Sequence, residues 1–259
     1  MNDLADKSYW NGIYHQRHDM HALETEGFRN YFTKSVLQKL CSVGLEHKRV
    51  LEMGAGDSAW LTHLAKHFPS SSFYGLDYSP QGCGLLAERT RRERAQVEII
   101  CEDFFSERSP WHGTFDVVYS FGVVEHFASL SRTLSAIGKY LRPDGVLVTF
   151  IPNLSGILGT LSRQWNKAVY DKHVPHDWLS FRNGHSEANL RIESGGYLGS
   201  SNFGTISSCF VERSGPSWHA YVWLTRVSKV IWFFESMVCD LPATKKFSPY
   251  IYAVSRLKE

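Results

Sequence analysis

Arg49 to Trp60 reads RVLEMGAGDSAW. A short apolar run, Val50-Leu51, ends in an acid, Glu52; Gly54-Ala55-Gly56 follows, and then a segment of helical composition from Ala59 to His67. That order is strand, tight turn, helix. Glycines let the chain turn sharply and let a ligand approach the backbone. A helix start adds N–H groups without intrahelical partners. The third glycine of a dinucleotide fingerprint is missing, because Trp60 stands two residues past Ser58 with no small residue in register. Further on, a second apolar run, Ser72 to Leu76, ends in Asp77. An acid at that remove from the glycine turn suits a ribose diol. The pattern therefore indicates a nucleoside more strongly than a pyrophosphate.

Outward from this turn the chain alternates. Apolar runs predict strands at Val50–Glu52, Ser72–Leu76, Val97–Glu102, Phe115–Ser120 and Val146–Ile151. Helices are predicted at Ala59–His67, stopped by Pro69, at Pro80–Arg94, and at Ser129–Tyr140, closed by the Arg142-Pro143-Asp144-Gly145 turn. Such alternation implies a parallel sheet with helices on both faces. Ligands of these sheets bind outside the carboxyl ends of the strands, where Glu52, Asp77, Asp103 and Ser120 fall. Two helices are predicted ahead of the sheet. The first carries Tyr9, Trp10, Ile13 and Tyr14 at helical spacing, and the second spans Phe28–Leu40. Behind the fifth strand, Asn153–His185 reads as an insertion, Ser186–Gly195 as a helix and Ser201–Val211 as a sixth strand. Trp218–Cys239 reads as an aromatic helix and Tyr250–Leu257 as the final strand.

The segments VLEMGAGDS, YGLDYSPQG, CEDFF, FDVVYSFGVVEHF and YLRPDGVLVTFIPN occur in that order. Together they resemble the class I S-adenosylmethionine-dependent methyltransferases, closely so over Arg49–Asn153. The whole chain is similar to small bacterial members of that class, often associated with polysaccharides or natural products. The resemblance implies an α/β fold: a seven-stranded Rossmann-like sheet with helices on both faces and an antiparallel final strand. It implies one domain over residues 1–259, with 1–45 as a helical lid and 152–185 and 212–246 as acceptor-side insertions. S-adenosylmethionine is the implied cofactor and S-adenosylhomocysteine its product. Glu52, Gly54, Ala55 and Gly56 would frame its methionine and ribose portions, and Asp77 would take the ribose hydroxyls. Asp103 with Phe104 would form the adenine site, an acid for the exocyclic amine and an aromatic face for the ring. Tyr78 and Ser120 complete the expected cofactor set. A sulfonium also favours aromatic faces, which Tyr9, Trp10 and Tyr14 offer.

Methyl transfer is an in-line displacement, so the main task is to hold the acceptor against the methyl carbon. A base helps a hydroxyl or acid acceptor. His126 is the base candidate, with Glu125 capping or orienting it; the same histidine reads equally as a structural residue at a helix start. Tyr14 and His15, on the leading helix, are further catalytic candidates. The Glu125-His126 pair is similar to one in metal-assisted methyltransferases that carry another glutamate three residues earlier. Here Gly122 stands there, so no metal is expected. Asp171, His173, His176 and Arg182 form a polar cluster in the insertion, in which an arginine would suit a carboxylate or phosphate. A small-molecule acceptor and O-methylation of a sugar, carboxylate or phenol are expected. The alternatives are an N or S acceptor, or a non-catalytic subunit that binds the cofactor.

Composition narrows the rest. The chain has 259 residues, enough for one α/β domain with insertions, and a net charge of +2. Five cysteines are scattered without paired spacing, and Met1-Asn-Asp-Leu opens no apolar leader. Free thiols and a cytoplasmic location are expected. The basic run Arg89–Arg94 reads as a solvated helix face rather than a nucleic-acid patch. No apolar run reaches the roughly twenty residues of a membrane span, and Arg226, Lys229 and Glu235 interrupt the aromatic helix. That helix is expected to cover the pocket or to form a homodimer face.

Overall fold

Successive strand residues point to opposite faces of a sheet. In β1 (Arg49–Met53) Val50 accordingly joins one apolar layer and Leu51 the other. The same split recurs at Val117 and Val118 of β4 (Phe115–Phe121) and at Val148 and Leu147 of β5 (Leu141–Pro152). Consecutive apolar residues recur in these strands because both faces are covered. The computed structural model describes residues 4–5, 7–15 and 21–258. The side chain of His15 lies outside the described residues, so the expectation placed on it is not taken further.

The remaining strands are β2 (Ser72–Asp77), β3 (Val97–Cys101), β6 (Leu190–Leu198) and β7 (Tyr250–Leu257), and the sheet order is β3-β2-β1-β4-β5-β7-β6. The first five strands run parallel, while β7 is antiparallel to both β5 and β6. This is the seven-stranded Rossmann-like sheet with an antiparallel final strand that the resemblance implies. On one face pack α2 (Tyr31–Cys41), α3 (Ala59–His67) and α4 (Pro80–Glu93), through Val36, Leu61 and Leu86. On the other pack α5 (Leu130–Gly138) and α8 (Trp178–Glu187), through Leu134 and Phe181. The caps are local. Ser58, Ser79 and Ser129 each accept a backbone N–H of the helix they start.

α1 (Lys7–His15) stands ahead of this core, with α6 (Ile157–Trp165) and α7 (Lys167–Tyr170) after β5. A satellite cluster of Leu158, Phe203, Ile206, Cys209 and Tyr221 joins α6, a 3-10 segment (Phe203–Cys209) and α9 (Gly215–Met237).

Two predicted elements are corrected. The sixth strand is Leu190–Leu198, not Ser201–Val211, and the latter stretch holds the 3-10 segment instead. Correspondingly, the helix predicted at Ser186–Gly195 ends at Glu187, having begun at Trp178 behind an Asp177–Ser180 capping box. The reason is that β6 is poor in strand formers, with Ser194, Gly195 and Gly196 at its centre. Antiparallel pairing with β7 makes it a strand, and Gly195 is needed because a Cβ there would lie 2.5 Å from the Trp178 ring. The Arg142–Gly145 turn also lies inside β5, as an irregularity in its pairing with β4 and with Asp144 at φ 58°.

Candidate functional site

A cavity of about 620 Å³ lies at the carboxyl ends of β1, β2 and β4, a size usual for small-ligand sites. Its floor is the glycine turn. Gly54 (φ 69°) and Gly56 (φ 45°) both occupy the left-handed region, where glycine is favoured. Neither position has room for a side chain. A Cβ at Gly54 would lie 2.6 Å from Val123 Cγ2, and one at Gly56 would lie 2.4 Å from the Tyr14 hydroxyl oxygen.

Three acids converge around this turn: Glu52, Asp57 and Asp77 all line the cavity. Asp77 is 4% exposed. Its Oδ2 accepts the Gly56 N–H at 2.9 Å and the Tyr14 hydroxyl at 3.3 Å, and its Oδ1 accepts the Ser79 N–H at 2.8 Å. Burial pushes its pKa up, against the pull of those donors. Glu52 accepts the Tyr119 hydroxyl at 2.7 Å and is pushed up to about 8, chiefly by burial, with Asp57 and Asp77 adding to the rise. A buried acid cluster of this kind favours a cationic ligand, whose charge offsets the carboxylates' mutual repulsion.

α1 crosses the cleft. Trp10 and Tyr14 line the cavity, and the Trp10 ring meets His126 edge-on at 5.0 Å between centroids. The Tyr78 hydroxyl donates to the Ala5 carbonyl at 3.4 Å, and the Ser79 hydroxyl donates to Asn11 Oδ1 at 2.7 Å. Apolar walls come from Trp60, Phe104, Phe121, Val123 and Phe127.

His126 also lines the cavity, on a 3-10 turn (Val124–His126). Its Nδ1 bonds the Lys172 carbonyl at 2.8 Å, and its Nε2 faces Glu125 Oε1 at 4.0 Å. Burial, and then the neighbouring His173, push the imidazole down to about 3. Glu125, 2% exposed, is pushed by burial up to about 8. Burial thus disfavours the charged form of each.

Of the expected cofactor residues, Glu52, Gly54, Ala55, Gly56, Asp77, Tyr78 and Phe104 meet on this cavity. The structure does not bring Asp103 or Ser120 to it. Asp103 is exposed and its Oδ1 accepts the Phe105 N–H at 2.9 Å. Ser120 is fully buried inside the sheet, its hydroxyl without a partner. Glu125 lies behind His126 rather than on the wall. Within the polar cluster of the insertion, His173 joins His126, at 4.5 Å between ring centroids.

Sequence reasoning missed Arg89 and Arg213. The run Arg89–Arg94 was expected to be a solvated face, and Arg91, Arg92 and Arg94 are exposed. Arg89 instead is 4% exposed and lines the cavity. Its guanidinium donates to the Asp57 and His21 carbonyls at 2.7 and 2.8 Å and to Glu93 at 3.0 Å. Its inward face was legible, because Gly82, Leu86 and Arg89 form a buried stripe at helical steps. Arg213 reaches the cavity from the segment before α9, for which no local signal exists.

Residues 51–147, the glycine turn and both acids included, match the family model described as the methyltransferase domain. That stretch is a methyltransferase domain of the class I S-adenosylmethionine-dependent kind. The chain is 33% identical over 122 residues to ribosomal protein L11 methyltransferase of Thermosipho africanus, covering 47% of this chain and 41% of that one. It is 28% identical over 106 residues to trans-aconitate 2-methyltransferase of Deinococcus radiodurans, covering 41% and 38%. It thus spans about two fifths of the length of these curated relatives. Geranyl diphosphate C-methyltransferase from Streptomyces coelicolor, solved with S-adenosylhomocysteine, shares the fold at a TM-score of 0.61 and 11% identity, over 96% of this chain and 97% of that one. S-adenosylmethionine is the cofactor of this enzyme class, and the cavity fits it in kind: a glycine floor, a cluster of acids for a cation, and a buried carboxylate bonded to the turn.

Proposed function

We propose that the protein methylates an oxygen of a small-molecule acceptor held in this cavity, with S-adenosylmethionine as donor, and that the oxygen is a carboxylate's. The observation that carries the donor reading is Asp77, buried, bonded to Gly56 N–H and facing the cavity. Asp77 would hold the ribose hydroxyls, Glu52 and the Gly54–Gly56 backbone the methionine portion, and Phe104 the adenine face. When bound, the cofactor supplies an electrophilic methyl on a sulfonium. The chain's own residues then have to orient the acceptor and exclude water.

A carboxylate acceptor is favoured by two features. It is already ionised at neutral pH and needs no proton removed, and burial pushes the His126 imidazole down to about 3, which leaves it a weak base. Arg213 brings a guanidinium to the wall, which suits a carboxylate bidentately. The trans-aconitate relative is named for a tricarboxylic acid. A sugar or phenol oxygen would instead need a base. The single domain, the lid role of residues 1–45 and self-association through α9 belong to the same reading.

Calorimetric titration with S-adenosylhomocysteine and with NAD tests the donor; binding of NAD alone would overturn it. Incubating the protein with methyl-labelled cofactor and a panel of carboxylic acids, sugars and phenols tests the acceptor, read by mass spectrometry. Arg213→Gln should then raise KM for the acceptor about tenfold or more while leaving the affinity for S-adenosylhomocysteine unchanged. A change in cofactor affinity alone would place Arg213 on the methionine carboxylate instead.

A further inference from the structure

Among the described residues, Glu125, His126 and His173 each offer a ligand atom within 4.8 Å of the others. Glu125 and His126 come from the turn after β4, and His173 from the segment after α7. Backbone bonds tie the two together, with the Val174 N–H on the Glu125 carbonyl at 2.7 Å.

The hydrogen bonds fix both tautomers. A carbonyl only accepts, so His126 Nδ1, bonded to the Lys172 carbonyl at 2.8 Å, carries the proton. His173 Nδ1, bonded to the Val169 carbonyl at 2.9 Å, carries one as well. Each ring is left with a bare Nε2. That of His126 faces Glu125 Oε1 at 4.0 Å. Metal-ligating histidines have this arrangement, the outer N–H on a carbonyl and the inner nitrogen free. Glu125 Oε2 has no hydrogen-bond partner although the residue is 2% exposed. A buried carboxylate oxygen without a donor is unfavourable; a cation beside it removes that penalty.

We propose that Glu125, His126 and His173 bind one divalent first-row transition metal through Glu125 Oε1 and the two histidine Nε2 atoms. Two imidazoles and one carboxylate select manganese, iron, cobalt or zinc over magnesium or calcium, which prefer all-oxygen sets. Ligands about 2.1 Å from a tetrahedral metal stand roughly 3.4 Å apart, so inward shifts of about an ångström close the site. The metal would pin the post-α7 segment to the cavity wall at His126. Gly122, where the sequence reading looked for a further acidic ligand, is not needed for this set. The site does not rest on the methyl-transfer reading.

The test uses the full chain, stripped with a chelator and dialysed against cobalt, manganese or zinc. Metal content is read by inductively coupled plasma mass spectrometry, and the cobalt form also by its visible absorption. The stacked His63–His67 pair on α3 is a second imidazole pair, so a His63→Ala/His67→Ala background is used throughout. One metal per chain is expected. Glu125→Gln and His173→Ala should each weaken it by at least about 100-fold, with far-UV circular dichroism unchanged. His173 does not line the cavity, so S-adenosylhomocysteine affinity should survive His173→Ala. No bound metal, or a metal affinity in either variant equal to the parent's, would overturn the site. Loss of S-adenosylhomocysteine binding by the parent would count against the donor reading only.

Discussion

The proposed donor site turns first on Asp77. It holds the glycine turn through Gly56 N–H and starts α4 through Ser79 N–H. Asp77→Ala should weaken S-adenosylhomocysteine binding about 10–150-fold, as expected for charge-assisted bonds to two hydroxyls worth about 1.5–3 kcal/mol. Calorimetry checks this, and an unchanged dissociation constant would remove Asp77 from the ribose. His185 gives a pH prediction at the same scale. It is fully buried on α8, its Nδ1 on the Phe181 carbonyl at 2.9 Å, and burial pushes its pKa down to about 4. The unfolded value is about 6.5, so below that pH the unfolded chain binds the proton first. The neutral histidine's contribution is therefore complete above pH ~6.5, is lost as pH falls from there to about 4, and changes no further below. Its total is on the order of 3 kcal/mol. Urea unfolding of His185→Gln should show a smaller loss of stability over that window than the parent; coincident pH profiles would refute the assignment.

Among the elements, α9 departs furthest from a surface helix. Tyr221, Ser228, Trp232 and Glu235 are buried, with Trp232 Nε1 donating to the Ser201 carbonyl at 2.8 Å. Only the segment leading into it, at Arg213, reaches the cavity. Its outer face carries Trp223, Val230, Phe234 and Met237, exposed by 64, 69, 45 and 71%. With half-buried Val227 these recur at alternating steps of four and three, the spacing of a two-helix seam. An apolar stripe of this length is atypical of a solvated surface. We propose that a second copy of this chain covers it, α9 against α9. Light scattering should report a dimer, and Trp223→Ser with Phe234→Ser a monomer with cofactor affinity intact. A monomeric parent would reject the seam and leave shallow bilayer association to be tested with vesicles. No helix of the described residues is long and apolar enough to cross a membrane.

For the molecule as a whole, α1 and the proposed ribose site meet at one oxygen. The Tyr14 hydroxyl donates to Asp77 Oδ2, the carboxylate proposed for the ribose. Cofactor binding should therefore change amide exchange in Lys7–His15 as well as in the glycine turn, and exchange confined to the turn would show that α1 stays put. The core as far as β5 is readable from the residues alone: period, caps and glycines there are local, and each strand is apolar enough to declare itself. The Gly54–Gly56 turn and Asp77 were legible for the same reason. β6 was not, because its glycines and serine carry no strand signal and only pairing with β7 makes the strand. Nor were the meeting of His126 with His173, the bond from His126 Nδ1 to the Lys172 carbonyl across 46 positions, or Arg213 on the cavity wall. Those contacts join segments whose separation along the chain has no fixed spacing, so only the packing of the finished fold decides which of them touch.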